Sequence, residues 1–307
     1  MILIIIMYAL WALSVTTSKE LLAYTPPIFL TGSRMFVAGI ILLAWQYMYA
    51  NEHFKFKRKD MWLYLQIIFF GVYSTNILRF WAMESISASK SMFLFNFSPF
   101  LSSLYSYFVF SERMTRHKWL GLAIGIVGMI PMLMSSSPAE QSAGEFFFIS
   151  WAEIATMLSV AAQAYSWIVM RTLVRDLSYS PMMVNGLCMA AGGFMALITS
   201  LFVEGTCPIA PSYIPSFIMM LGFIIIISNI ICHNLYAFLL REYTATFMSF
   251  AGFMAPIFAA IIGWVLKGEV VTWHFYVSSI IVFIALYLFY KDELRQNGAG
   301  VPTELVD

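Results

Sequence analysis

The chain has 307 residues, of which 61% are hydrophobic and 11% charged, against roughly 45–50% and about 25% in soluble domains. So few polar residues cannot cover a soluble core, which excludes a soluble globular enzyme and a disordered chain and leaves an integral membrane protein. The net charge of +1 carries no basic excess for nucleic acid.

Apolar runs of about 20 residues cross a bilayer as helices. Ten follow in order: 1–18, 27–49, 61–82, 88–110, 117–134, 150–171, 181–203, 213–238, 245–266 and 272–290. Lipid offers the backbone no partners, so each run is expected to be helical. The alternation of barrel strands is absent, since Ile224-Ile225-Ile226-Ile227 is apolar on every face. The first run lacks a basic leader and reads as a retained span. Residues 135–149 read as a connecting loop, and 291–307 as a polar cytoplasmic tail.

Orientation follows from Lys and Arg. With the N-terminus in the cytoplasm, the inner segments hold Lys55, Lys57, Arg58, Lys59, Arg113, Arg116, Lys118, Arg171, Arg175, Arg241, Lys291 and Arg295. The outer segments hold only Lys19, Lys90 and Lys267, and Arg34 and Arg79 fall inside spans. Both termini are therefore expected in the cytoplasm of a multi-pass protein, most simply in a bacterial inner membrane.

The two halves repeat. Ser91–Phe100 compares with Met248–Ile257, and one offset carries Pro99 to Pro256, Glu112 to Glu269, Ala88 to Ala245, Gly121 to Ser278 and Gly128 to Ala285. Five spans per half is an odd number, so the second copy must be inverted. Inverted repeats are how many secondary transporters build their gates around a midplane site. The expected fold is all-α, with ten transmembrane helices as two inverted five-helix repeats, 1–134 and 150–290.

In this order and spacing the sequence resembles the drug/metabolite transporter superfamily, in particular its EamA-type members. The residues concerned are Leu10-Trp11-Ala12 leading to Lys19, Pro26-Pro27, Arg34–Gly39, Phe80–Met83, Ile86–Ala88, Ser98-Pro99 with Glu112-Arg113, and the Gly121, Gly125, Gly128 stripe. Tyr236, Ala245, Pro256 and Glu269 repeat the pattern. The resemblance implies a central cavity lined by the first, third, fourth, sixth, eighth and ninth helices. It also implies a small solute as partner: amino acids, related metabolites or, in some relatives, S-adenosylmethionine. Two departures stand out: no glycine follows Trp11, and Arg79 replaces an aromatic residue that its repeat partner Tyr236 keeps.

Charges inside spans are costly, which makes them candidates for function. The Arg79 guanidinium suits a substrate carboxylate; the alternatives are a pair with Glu84 or snorkelling to the interface. Arg34 matches a family arginine and reads as a structural charge, paired with a carboxylate or carbonyls. Asn76, Asn96, Gln163, Asn229, His233 and Asn234 are polar groups at deep or mid-span positions. Asn76 and Arg79 are i, i+3, and Asn229 and His233 are i, i+4, so each pair is expected on one helical face. These polar groups serve either substrate binding or helix-to-helix hydrogen bonds. Trp11, Tyr73, Phe80, Phe95, Trp167 and Tyr236 either stack on a planar or cationic substrate or pack. Pro99 and Pro256 either hinge their helices in gating or shape them statically. Glu84, Glu153 and Glu204, near span ends, are expected to be solvated, with Glu153 the candidate for proton coupling.

The function read from these features is a secondary transporter of a small polar metabolite, an amino acid or a derivative such as S-adenosylmethionine, working by alternating access. The alternatives are an intramembrane enzyme using His233 and a non-transporting scaffold or channel. The sequence has no HExxH, GxSxG or Walker motif, and Cys188, Cys207 and Cys232 lack CxxC spacing, so no cofactor or metal is implied and no enzyme is expected. A monomer in the lipid bilayer is the simplest assembly.

Overall fold

The computed structural model describes residues 2–49, 57–110, 116–133, 145–146, 149–205, 214–243, 248, 251–252, 254–267 and 273–298. Glu112, Glu269, Ala245 and Cys207 lie outside them. Ten helical spans are described: α1 (Ile2–Leu21), α2 (Pro27–Tyr49), α3 (Arg58–Ser85), α4 (Ala88–Phe95 and Ser98–Phe110) and α5 (Arg116–Leu133), then α6 (Trp151–Arg171), α7 (Pro181–Val203), α8 (Ile214–Leu239), α9 (Met254–Lys267) and α10 (Trp273–Gly298). A two-residue ladder, β1 (Glu145–Phe146) on β2 (Ile149–Ser150), precedes α6. The fold is an all-α membrane fold.

Met248 and Ala251, in the expected ninth span, are helical, and the helix described as α9 resumes at Met254 after a turn at Gly252. The tenth continues to Gly298 rather than ending at 290. Its last residues, Lys291 to Gln296, are strong helix formers, so leaving the apolar region does not end the helix.

Interruptions of two kinds break the regular hydrogen-bond ladder within α3, α4 and α8. Pro99 has no N–H to give the Phe95 carbonyl, and α4 turns at Asn96-Phe97 and restarts at Ser98. In α3 and α8 the residues Ile67–Ser74 and Ile225–Cys232 are π-helical, each eight residues long and at equivalent places in the two repeats. Side chains just beyond each wide stretch bond back onto its carbonyls. Asn76 Nδ2 donates to Val72 O at 2.8 Å, and Asn234 Nδ2 donates to Ile230 O at 2.8 Å. π segments of this kind are frequent at functional sites.

The contacts obey the pseudo-twofold. α2 lies along α7 and α5 along α10, while α3 against α6 mirrors α8 against α1. Glycine lets the α2 and α7 backbones touch: a Cβ on Gly39 would sit 2.2 Å from Ala190 N, and one on Gly193 2.3 Å from Phe36 N. On α5, a Cβ on Gly128 would sit 2.8 Å from the Ile281 side chain of α10. The α2–α7 pair is also tied at both ends. Glu204 accepts from the first free amides of α2, Ile28 N and Phe29 N, both at 2.7 Å. At the other end Ser180, the residue before α7, donates from Oγ to Gln46 Oε1 at 3.1 Å. Thus Glu204, expected to be solvated, is a cross-repeat cap.

Because the backbones touch, Gly39→Ala should lower the thermal midpoint in detergent, by an overpacking cost of about 1–3 kcal/mol. Gly222→Ala is the control. Its Cβ meets nothing within 4 Å, and the midpoint should hold or rise slightly.

Candidate functional site

A cavity, open in part to solvent, lies where the repeats meet. Six helical segments supply its wall: Tyr8 and Trp11 of α1, Arg79 of α3, Met92, Phe95, Asn96 and Ser98 of α4, Gln163 and Trp167 of α6, Tyr236 of α8, and Gly252 with Ala255 at the start of α9. These are the six helices the resemblance implied.

The two ends of the cavity differ in chemistry. α3 leaves the face where α1 begins and ends at the far face, so Arg79, six residues before Ser85, lies about 9 Å short of the far end of its helix. α8 runs the other way, and Tyr236 lies near its end at the face where α1 begins. The far end of the cavity is therefore cationic. The Arg79 guanidinium sits 4.3 Å over the Phe95 ring, and its Nε is buried without a hydrogen-bond partner. The amide Nδ2 of Asn96, at the α4 break, is also buried and unpaired. The other end is an aromatic cluster: Trp167 and Tyr236 centroids lie 4.2 Å apart, and Trp11 meets Tyr236 edge-on at 5.9 Å. The Tyr8 hydroxyl donates to the Met248 carbonyl and ties α1 to the segment before α9.

Several candidates sit behind the wall. Arg34 is buried; its Nη2 donates to Asn76 Oδ1 at 3.1 Å, and its guanidinium lies 4.9 Å from the Phe80 ring centre. Its partner is thus a neutral amide rather than a carboxylate or a main-chain carbonyl. Glu84 is exposed and does not pair with Arg79. Tyr73 stands apart from the cavity, its hydroxyl 2.8 Å from Thr199 Oγ1 of α7. Asn229 and His233 meet different helices. Asn229 turns to Met35 and Met189, its Nδ2 donating to Met35 Sδ at 2.9 Å, while His233 packs on Trp11 and Trp167 at 5.0 and 6.0 Å. His233 Nδ1 lies 2.7 Å from the Ser228 carbonyl. Pro99 and Pro256 lie just past the turns at Asn96 and Gly252, which border the cavity.

Tyr8, Met92, Ser98, Gly252 and Ala255 were not singled out from sequence. The repeat offset pairs Phe95 with Gly252 and Ser98 with Ala255, and applying it to the lining itself would have found the last two.

Outside the cavity, two serine-capped helix starts are joined at the far face. Ser87 accepts from Lys90 N ahead of α4, and Ser150 forms a capping box with Glu153 ahead of α6. The third residues of the two helices then pair, Lys90 Nζ to Glu153 Oε1 at 2.7 Å, with both side chains buried. Glu153 is therefore not solvated. At the opposite face the Tyr179 hydroxyl donates to Asp60 Oδ2 at 2.6 Å, and Arg241 Nη2 donates to the Tyr179 carbonyl at 3.2 Å. Burial and the bond to Asp60 push the Tyr179 phenol above its ordinary range.

Inverted repeats around a central cavity lined by broken and π-helical segments define a secondary-transporter architecture. The EamA-like transporter family matches residues 1–134 and 150–291, and the chain belongs to it. It is 30% identical to the S-adenosylmethionine/S-adenosylhomocysteine transporter of Chlamydia muridarum (strain MoPn / Nigg), over 94% of this chain and 90% of that protein. It is 23% identical to a probable amino-acid metabolite efflux pump of Salmonella typhimurium (strain LT2), over 92% of each chain. A solved crystal structure at 15% identity superposes with a TM-score of 0.64, covers 96% of each chain, and shares the fold.

Removing one partner of a buried ion pair strands the other charge, at about 3–5 kcal/mol. Lys90→Met should therefore sharply lower the thermal midpoint in detergent, and Lys90→Met with Glu153→Gln should recover part of the loss. A double-mutant cycle gives the coupling.

Proposed function

We propose that this protein carries S-adenosylmethionine and S-adenosylhomocysteine across a bacterial inner membrane, exchanging one for the other by alternating access. Both termini face the cytoplasm, as the distribution of Lys and Arg favours. The observation that carries this reading is the pairing, in one cavity, of an arginine with a free Nε at one end and an aromatic cluster at the other. Both solutes have an amino-acid end and a flat heteroaromatic end. The carboxylate meets the Arg79 guanidinium, whose fork fits it bidentately. The adenine ring lies against Trp11, Trp167 and Tyr236, where offset or edge-on aromatic contacts are favourable. Asn96 and Gln163 supply neutral polar contacts to the ammonium and ribose between the two ends. The protein acts as a monomer.

Support also comes from the similarity to the Chlamydia protein along nearly the whole chain. The geometry around His233 favours transport over an intramembrane enzyme, because its Nδ1 faces a main-chain carbonyl rather than a hydroxyl that it could activate.

The test is uptake of labelled S-adenosylmethionine into proteoliposomes preloaded with S-adenosylhomocysteine. Preloading should accelerate uptake. A hydrogen bond to a charged group is worth about 1.5–3 kcal/mol, so Arg79→Ala should weaken S-adenosylhomocysteine binding roughly ten- to a hundredfold. Uptake indifferent to preloading and to Arg79→Ala would remove both the exchange and the carboxylate assignment.

A further inference from the structure

We propose that Arg79, backed by Arg34, forms a binding site for a small monovalent inorganic anion, chloride in ordinary buffers, which occupies the cavity when the solute is absent. The anion site stands on the geometry alone; only its competition with the solute rests on the transport reading above.

Arg34 is 4% exposed and, among the described residues, has one side-chain hydrogen bond, to the neutral amide of Asn76. Its Nε is buried with no partner, as is that of Arg79. Arg34 lies in the field of Arg79, and His233 lies in the field of both. Each guanidinium lies over a phenyl ring, Phe80 for Arg34 and Phe95 for Arg79. Among the described residues no carboxylate pairs with either one, and the buried ion pair of Lys90 with Glu153 involves neither.

Two like charges in a protein interior, with no counterion, are costly to hold. A ring face offsets only a small part of that cost. Arginine does not escape by releasing its proton, as a buried lysine does. Water cannot reach the enclosed Arg34, so its charge is felt at the one guanidinium that borders the cavity. The missing partner is therefore an anion arriving through the cavity. Asn96 Nδ2 offers a second donor on the same wall, buried and unpaired. One guanidinium edge and one amide suit a single negative charge; a multiply charged oxyanion would need more donors than these. The substrate carboxylate meets the same demand, so the two compete.

The experiment uses the full-length protein in detergent, with chloride exchanged for gluconate at constant ionic strength so that general screening does not change. At chloride near ten times its own Kd the thermal midpoint should rise saturably by roughly 3 °C over gluconate. The rise should vanish in Arg79→Gln. Apparent S-adenosylhomocysteine affinity should weaken about tenfold in the same chloride, the factor expected of a competitor at ten times its Kd. Should Arg79→Gln not fold, bromide soaked into crystals of the unaltered protein gives the second readout: an anomalous peak beside Arg79. Equal midpoints in the two salts, an equal rise in Arg79→Gln, or no bromide at Arg79 overturns the site. Failure to bind S-adenosylhomocysteine in gluconate sinks the transport reading and leaves the thermal arm to decide the anion site. Solute binding that ignores chloride, together with a flat midpoint, sinks the anion site and leaves transport standing.

Discussion

Inside a bilayer every backbone N–H and C=O must find a partner within the protein. That constraint decides where this chain is allowed to be irregular. Its helices leave the regular ladder at the α4 turn and in the π segments of α3 and α8, and at these places something else takes over. Asn76 and Asn234 return hydrogen bonds to the wide stretches. The α4 turn borders the cavity, where solvent or solute can approach the backbone. The α4 turn thus sits at the cavity, while the π segments keep their backbone partners within the helix and expose Phe69, Phe70, Ile226 and Ile231 on their outer faces.

The scaffold is close to symmetric, but its lining is not. The repeat equates Arg79 with Tyr236, Phe95 with Gly252 and Ser98 with Ala255. In each pair the wall around the first repeat's member is larger or more polar, or lies beside a charge, and the second repeat's wall is aromatic or small. Symmetry of fold supports a mechanism in which either face opens. Asymmetry of lining gives a solute a head and a tail. A carrier that orients its solute needs both, and the two requirements meet in one cavity because they act on different features: helix axes for the first, side chains for the second.

Much of this was legible in the sequence, for identifiable reasons. α2, α4 and α7 match their expected bounds because apolar runs with Pro or Ser at their edges leave little choice. Arg79, Trp11, Asn96, Gln163, Trp167 and Tyr236 could be expected at the cavity because they fall on the helices that the family resemblance puts around it. The π segments were not legible. They lie in runs apolar on all sides, where a change of period leaves no trace. Gly252 and Ala255 contribute space rather than chemistry, and space has no signal in one sequence beyond the repeat.

Glu153 was misplaced for a different reason: a carboxylate near a span end looks solvated until its partner is known, and Lys90 is far away in the chain. With the partner in view its role changes. Its carboxylate accepts from Ser150 N and Ser150 Oγ and holds the Lys90 ammonium. A lysine at the third position of a helix faces the positive end of the dipole and is unfavourable there by itself; Glu153 supplies the charge that makes it tolerable. Removing that carboxylate would strip the Lys90 ammonium of its buried counter-charge and loosen the start of α6 together with the contact between repeats. The residue is a strut between α4 and α6.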